Sequence, residues 1–328
     1  MKHKILVSGR LTEDILSLFA KDCDVRANGE DRPMERADLL EAVAGMDGML
    51  AMITDGIDAE LMDRAPRLRV VSNMAVGYNN IDVAAATQRG IVVTNTPGIL
   101  TEATAELAFA LVLASARRVV DLDRRTRAGE WTCWAPLLFL SREVSGKTLG
   151  VIGLGRIGRA VARRARAFGM KVLYHNRVRL DTAEERELGV KYAERDELLR
   201  QADFVSLHVP LSGETRHLIG RRELGIMKPT SYLINTSRGP VVDEAALVEA
   251  LRDRRIEGAG LDVYEQEPLL APGLAALDNV VLMPHVGSAT VETRMKMARM
   301  AADNLLAGLR GEQPAHVVNP EVLTRRRG

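Results

Sequence analysis

Short, unbroken apolar runs recur along this chain. In the first hundred residues they are KILVSG (4–9), GMLAMIT (48–54), LRVVSNM (68–74) and GIVVTNT (90–96). A strand reads as a continuous apolar run when both of its faces are buried, as they are in a parallel sheet. Helical segments such as ADLLEAVAG (37–45) and NIDVAAATQRG (80–90) lie between them. This alternation predicts an α/β domain with a parallel sheet.

A long helix is predicted near 101–128. Thr101 suits its cap and Glu102 its positive N-terminal end. Ala108, Leu111, Val112, Ser115, Val119 and Leu122 share one face at helical spacing. The following GEWTCWAPLLFLSREVS (129–145) has no clean period and holds both tryptophans. A second alternation begins at GKTLGVIGLGRIG (146–158). Further strands are expected at 171–175, 204–209, 231–235, 259–263 and 280–283, and a Met- and Ala-rich helix at 289–309. The terminal TRRRG reads as loose.

Length and composition narrow the class. The 328 residues fit two domains, and 46% apolar residues supply two cores. A net charge of +1 gives no field for nucleic acid or a membrane surface, and neither is expected as a partner. Cys23 and Cys133 make no disulfide framework, so a reducing compartment is the simple reading. The opening MKHKILVSGR runs straight into a strand without a signal-peptide pattern. The longest apolar run, LAFALVLASA (107–116), is too short to span a bilayer. The expectation is a soluble, cytoplasmic protein. No His/Cys/Asp cluster has metal-ligand spacing, so no metal is expected.

The first chemical signal is VIGLGRIG, which places Gly153, Gly155 and Gly158 as G-x-G-x-x-G between a strand, KTLGVI, and a helix, GRAVARRARAFG. In that context the glycines allow a tight turn and close approach of backbone to a pyrophosphate at a helix N-terminus. The alternative is a purely structural turn. Because the motif lies in mid-chain, another α/β domain precedes the nucleotide domain, and the C-terminal residues are expected to pack back on it. Arg238, Asp262, Glu267 and His285 each follow a predicted strand, where open α/β sheets bind ligands. Singly, each has a plain alternative: a solvated arginine, a turn carboxylate, a structural histidine.

MAVGYNNID, NTPGILTEATAELA, GLGRIG, HVPLSGET, NTSRGPVVDE, GAGLDVYEQEP and PHVGSAT occur in this order over nearly the whole chain. Together they resemble the D-isomer-specific 2-hydroxyacid dehydrogenases. GEWTCWAP and NLLAGLRGE are most similar to the glyoxylate/hydroxypyruvate reductase branch. The resemblance implies two Rossmann-like or flavodoxin-like domains with parallel sheets. The dinucleotide-binding Rossmann domain, 100–286, is inserted in a split substrate-binding domain, 1–99 with 287–328, and closure occurs on hinges near 99 and 286. It implies a catalytic set of Arg238, Glu267 and His285. Arg238 grips the carboxylate and 2-oxo oxygen of a small 2-oxo acid. His285 protonates the carbonyl oxygen, and Glu267 fixes the imidazole. The N–H groups of Val76 and Gly77 complete the carboxylate site. Cofactor contacts carried over by motif are Thr104, Gly153, Gly155, Arg156, Ile157, Gly158, Val209, Pro210, Thr236, Asp262 and Gly287, with His175 beside them. The resemblance also implies a homodimer through the long helix and the segment after it. Trp134 then either reaches the partner's substrate site or packs locally. Ile53, Thr54, Met74 and Ala75 are expected to face the substrate pocket. Runner-up activities are 2-ketogluconate reduction, another D-2-hydroxyacid dehydrogenation and, more remotely, phosphite oxidation. A rival from another class is a dinucleotide-sensing, corepressor-like binding protein.

The stretch VLYHNRVR (172–179) bears on the cofactor. NAD-selective relatives carry an acid near the end of this strand to bind the ribose hydroxyls. Here the position is Asn176, followed by Arg177 and, close by, Arg179. Asparagine does not repel a 2′-phosphate and either guanidinium can pair with one. NADP(H) is therefore expected as the preferred cofactor, with NAD(H) as the alternative.

Overall fold

The apolar runs of the first hundred residues become strands. In the computed structural model, which describes residues 2–327, they are β1 (His3–Val7), β3 (Gly48–Ala51), β4 (Val70–Asn73) and β5 (Val92–Thr94). A fifth, β2 (Cys23–Ala27), was not legible in the pattern, because it is an edge strand in which only Cys23 is buried. All pair in parallel, in the order β2-β1-β3-β4-β5. This is the flavodoxin-like order.

Residues alternate between the two faces of this sheet. Ile5, Val7, Leu50, Val70 and Val92 pack on one side with the helix Val291–Leu309. Leu6, Met49, Ala51, Val71 and Val93 pack on the other with the helices Arg36–Val43, Ala59–Arg64 and Val83–Gln88. The C-terminal helix is thus part of this unit's core. Leu305 is fully buried and Leu309 nearly so, each worth about 1.5–3 kcal/mol. Ser72 Oγ donates to Ala301 O at 2.7 Å. The residues up to Leu100 and those from Thr290 on form one compact unit, and Thr101–Ala289 forms another.

The second unit holds a seven-stranded parallel sheet: β6 (Thr148–Ile152), β7 (Lys171–His175), β8 (Lys191–Tyr192), β9 (Phe204–Leu207), β10 (Tyr232–Asn235), β11 (Gly258–Leu261) and β12 (Val280–Leu282). The order is β12-β11-β10-β9-β6-β7-β8. Chain direction across the sheet reverses between β6 and β9, the switch point at which doubly wound sheets open a ligand crevice. β8 has two residues, too few to leave a periodic signal.

Two expectations need correction. The helix near 101–128 is two helices, Thr101–Ala116 and Val119–Arg127, broken at Arg118, which has φ 53°. Ala108, Leu111, Val112 and Ser115 are buried as the spacing requires, but past the break the phase is lost. Val119 is exposed and Asp121 is buried instead, held by Arg118, Arg124 and Arg125. The terminal arginines are not loose. Arg327 N donates to Gly90 O, and Arg326 Nη1 donates to Gly311 O and Glu312 O.

Candidate active site

The loop after β6 and the loop after β9 meet at the switch point. Gly153 has φ 95°, and a Cβ there would fall 2.7 Å from His208 C and O and 2.9 Å from Val209 Cγ1. Only glycine allows both the left-handed turn and this approach. Gly158, in the first turn of the helix Arg156–Ala167, lies so close that its Cβ would be 2.3 Å from Gly153 O. Gly155 differs, since a Cβ there would meet nothing within 4 Å. The space it leaves is open, at a helix N-terminus whose first N–H groups, on Arg156 and Ile157, have no carbonyl ahead of them. Such a cradle fits a pyrophosphate.

The loop is held from behind by β7. Gly153 N donates to His175 O at 3.0 Å, and Leu154 N donates to Asn176 Oδ1 at 2.7 Å. Asn176 is thereby oriented, with its Nδ2 left as a donor. The His175 ring is not turned to the loop: Nδ1 lies 3.2 Å from Ala193 O, and the ring lies beside Tyr192. The two arginines after Asn176 are not equivalent. Arg179 binds both oxygens of Glu185, at 2.7 and 2.9 Å, and lies over the Tyr192 ring. Arg179 and Tyr174 hold the Glu185 carboxyl down to about 2. Among the described residues Arg177 pairs with Glu214, and the side chains are 86% and 72% exposed. An exposed pair of this kind is worth little. So Arg177 is available to a ligand, while Arg179 is committed to the fold.

Arg238, Glu267 and His285 follow β10, β11 and β12, three adjacent strands. Glu267 Oε2 lies 2.6 Å from His285 Nδ1, and Glu267 Oε1 accepts from Tyr264 N at 3.1 Å. Burial alone pushes the Glu267 carboxyl up. The His285 hydrogen bond and charge, the Tyr264 N–H and the Arg238 charge together outweigh it and hold the group below its usual range. An ionised carboxylate only accepts, so Nδ1 carries the proton in this pair and Nε2 is the nitrogen turned to chemistry. Burial lowers the pKa of Arg238, and the Glu267 charge opposes that.

His285 has φ 55°. Asp262 holds it there, because three successive N–H groups converge on this one residue. His285 N donates to Asp262 O at 2.9 Å, Val286 N to Oδ1 at 2.7 Å and Gly287 N to Oδ2 at 2.8 Å. Thr104 Oγ1 donates to Gly287 O at 3.1 Å. Thr236 Oγ1, past β10, is buried without a partner. An orphaned hydroxyl in this position fits a bound nicotinamide group. Val209 and Pro210 edge the crevice, where Pro210 O accepts from Thr215 Oγ1. His208 is half-buried, desolvation pushes its pKa down to about 4, and its Nε2 pairs with Ser206 Oγ.

In the first unit, the segment after β4 turns its carbonyls inward. Ala75 O accepts from Thr96 N, Val76 O from Asn95 Nδ2 and Gly77 O from Asn73 Nδ2. Among the described residues no acceptor meets the N–H of Val76 or Gly77. Met74 is a core residue rather than a pocket residue, packed with Ile5, Leu50 and Val70. Ala75 is also buried, whereas Ile53 is partly exposed and Thr54 exposed. Trp131 and Trp134 do not pack locally: they are 62% and 82% exposed, on a segment where Leu137 and Leu140 are exposed too.

A glycine cradle at a helix N-terminus, with a carboxylate–imidazole pair and an arginine past adjacent strands of the same sheet, is the equipment of a dinucleotide-dependent dehydrogenase. Residues 109–287 match the family described as D-isomer specific 2-hydroxyacid dehydrogenase, NAD binding domain. Glyoxylate reductase of Thermococcus litoralis is 49% identical over 328 residues, covering 99% of each chain. That of Korarchaeum cryptofilum is 50% identical, covering 98% of each. Among solved structures, a protein from Thermus thermophilus superposes with a TM-score of 0.90 at 46% identity, over 96% of this chain and 99% of that one. An NADPH-dependent glyoxylate/hydroxypyruvate reductase from Sinorhizobium meliloti, in complex with NADP and malonate, gives 0.85 at 35% identity over both full chains. The chain belongs to the D-isomer-specific 2-hydroxyacid dehydrogenase family. It is an oxidoreductase that uses a nicotinamide dinucleotide.

Motif reading pointed to Arg238, Glu267 and His285, which the fold sets past three adjacent strands, but did not single out Tyr264 or Gly239, which pack among them. Both lie inside quoted motifs, LDVYEQEP and SRGP, where a tyrosine and a glycine beside charged groups were the available signal.

Proposed function

We propose that this enzyme reduces glyoxylate and hydroxypyruvate to glycolate and D-glycerate, with NADPH preferred over NADH. The observation that carries the reading is the 2.6 Å pair of Glu267 and His285 beside Arg238. Arg238 binds the substrate carboxylate and polarises the 2-oxo group, as a planar fork of donors can. His285 delivers the proton from Nε2 as general acid, and Glu267 keeps the ring correctly turned through its bond to Nδ1. The bound dinucleotide supplies the hydride. Gly153, Gly155, Arg156, Ile157 and Gly158 hold its pyrophosphate, Val209 and Pro210 edge its adenosine half, and Thr104, Thr236, Asp262 and Gly287 line its nicotinamide end. Asp262 does so mainly by fixing the His285 loop. Residues 100–286 are the dinucleotide domain, and 1–99 with 287–328 the substrate domain. There the free N–H groups of Val76 and Gly77 suit a carboxylate.

Asn176 and Arg177 support the NADPH preference. Asn176 spends its oxygen on the phosphate loop and offers an N–H outward, where an aspartate would offer negative charge. Arg177 supplies the cation. Two copies associate through the exposed Trp131–Leu140 segment, with Trp134 placed to reach the partner. The exposed free thiol of Cys133 suits a reducing cytoplasm. The test is kcat/KM for a panel of 2-oxo acids, each with NADPH and NADH, in wild type and in Asn176→Asp with Arg177→Ala. Glyoxylate and hydroxypyruvate should lead the panel, and the double variant should turn towards NADH. Wild-type preference for NADH would end the cofactor reading.

A further inference from the structure

Tyr264 takes no part in the acid–base chemistry described above, yet it touches all three loops that perform it. It is buried, two residues past Asp262 and three before Glu267. Its N–H holds Glu267 Oε1 at 3.1 Å, while the other carboxylate oxygen holds His285. Its hydroxyl donates to Met283 O at 2.9 Å, on the segment that leads into His285. Leu261 O, at 3.4 Å, is the weaker acceptor. Its carbonyl lies against Gly239, the residue after Arg238, so closely that a Cβ on Gly239 would fall 1.8 Å from Tyr264 C and O. One residue therefore meets the ends of β10, β11 and β12.

We infer that Tyr264 is a positioning residue that sets the Arg238, Glu267 and His285 loops in register, its hydroxyl holding His285 against Glu267 through Met283. The inference rests on the acid–base reading proposed above. His285 stays at φ 55° only because its surroundings fix it. Asp262 fixes the N–H groups at and after His285, and Tyr264 fixes the carbonyl two residues before it. Removing the hydroxyl leaves Met283 O without its donor, a cost the segment relieves by shifting. The charge-assisted bond between Glu267 and His285 depends on short distance, so a small shift weakens it. Within this unit the charged groups acting on His285 and its partner are Glu267, Asp262 and Arg238, and among the described residues it is Glu267 that bonds the ring. Burial, then the Asp262 charge, pushes the Tyr264 hydroxyl up to about 12, so it remains a donor throughout the working range.

The experiment compares wild type, Tyr264→Phe, Glu267→Gln and the double variant in glyoxylate reduction by NADPH across pH. Melting temperature and NADPH binding by fluorescence are measured alongside. Glu267→Gln should move the alkaline limit of kcat to lower pH. Tyr264→Phe, which keeps the ring, should move it in the same direction by about 0.5 units and lower kcat roughly 3- to 10-fold, the scale of one hydrogen bond. NADPH affinity should not change. The double variant should move the limit no further than Glu267→Gln alone, because both act through one pair. Gly239→Ala, which forces Tyr264 and Arg238 apart, should raise KM for glyoxylate. If Tyr264→Phe lowers the melting temperature but leaves the pH limit in place while Glu267→Gln moves it, the hydroxyl is only structural and the inference fails alone. If Glu267→Gln leaves the limit in place, the acid–base reading falls and takes the inference with it.

Discussion

A histidine at φ 55° is uncommon, and the left-handed conformation costs an L-residue about 1–2 kcal/mol. Here the cost is offset by the three N–H bonds to Asp262. What they secure is an imidazole with one nitrogen committed to Glu267 and the other available. His285→Gln should therefore lose about 10²–10⁴ in kcat while binding NADPH normally, because the dinucleotide contacts proposed above do not include it. Stopped-flow reduction together with fluorescence titration measures both. Arg238→Lys keeps the charge but not the fork, and a steep loss of kcat/KM for glyoxylate at unchanged NADPH affinity is expected. Near-normal kcat/KM would make Arg238 structural. The Glu267 carboxyl lies below its usual 4.5, so its contribution to stability is complete above that pH and is lost as pH falls through the lower folded value. At this scale the sequence named Arg238, Glu267 and His285, and the structure sets Glu267 against His285. The sequence did not tell that Arg179 is spent on Glu185 while Arg177 is barely held, because both are arginines on one loop and only the neighbours differ.

Among the elements, long apolar runs were legible and their ends were not. The helix Thr101–Ala116 stops where Arg118 turns left-handed, a change that leaves no mark in apolar spacing. Two other helix ends show how such turns are made. After Thr182–Leu188, Gly189 has φ 63° and Val190 N donates back to Glu185 O. After Glu244–Arg252 the same motif is built with Arg254 at φ 52°, and Arg255 N donates to Ala250 O. Glycine suits that position and arginine is strained there. Arg254 gains only an exposed ion pair with Asp278, worth about 0–1 kcal/mol. Arg254→Gly should therefore stabilise the enzyme by about 0.5–1 kcal/mol, allowing for both terms. Denaturant unfolding measures this, and a loss of stability would show that the ion pair outweighs the strain.

At the scale of the whole molecule, the segment from Trp131 to Leu140 exposes large apolar side chains, Trp131, Trp134, Leu137 and Leu140 among them, that this chain does not cover. It is the surface through which two copies are proposed to associate, since exposed apolar area of that size commonly serves binding. Light scattering should give a particle of twice the 35.9 kDa chain mass. Leu137→Glu should reduce it to one copy with little change in monomer stability, because Leu137 is 83% exposed and loses no packing within its own chain. A wild-type particle of one copy would remove the segment from any interface.

The sequence by itself determined the parallel α/β class, and it singled out the glycine loop and Arg238, Glu267 and His285 as the groups proposed for chemistry. Each rests on local features: unbroken apolar runs, glycines at fixed spacing, and polar residues placed just past strands. Tertiary structure decided what depends on neighbours distant in the chain. It returned the helix Val291–Leu309 to the first sheet and brought Glu267 within 2.6 Å of His285. It also turned Asn176 inward to the phosphate loop and set Tyr264 against Gly239. A residue type fixes which bonds can be made, but strand order and close packing fix which of them are.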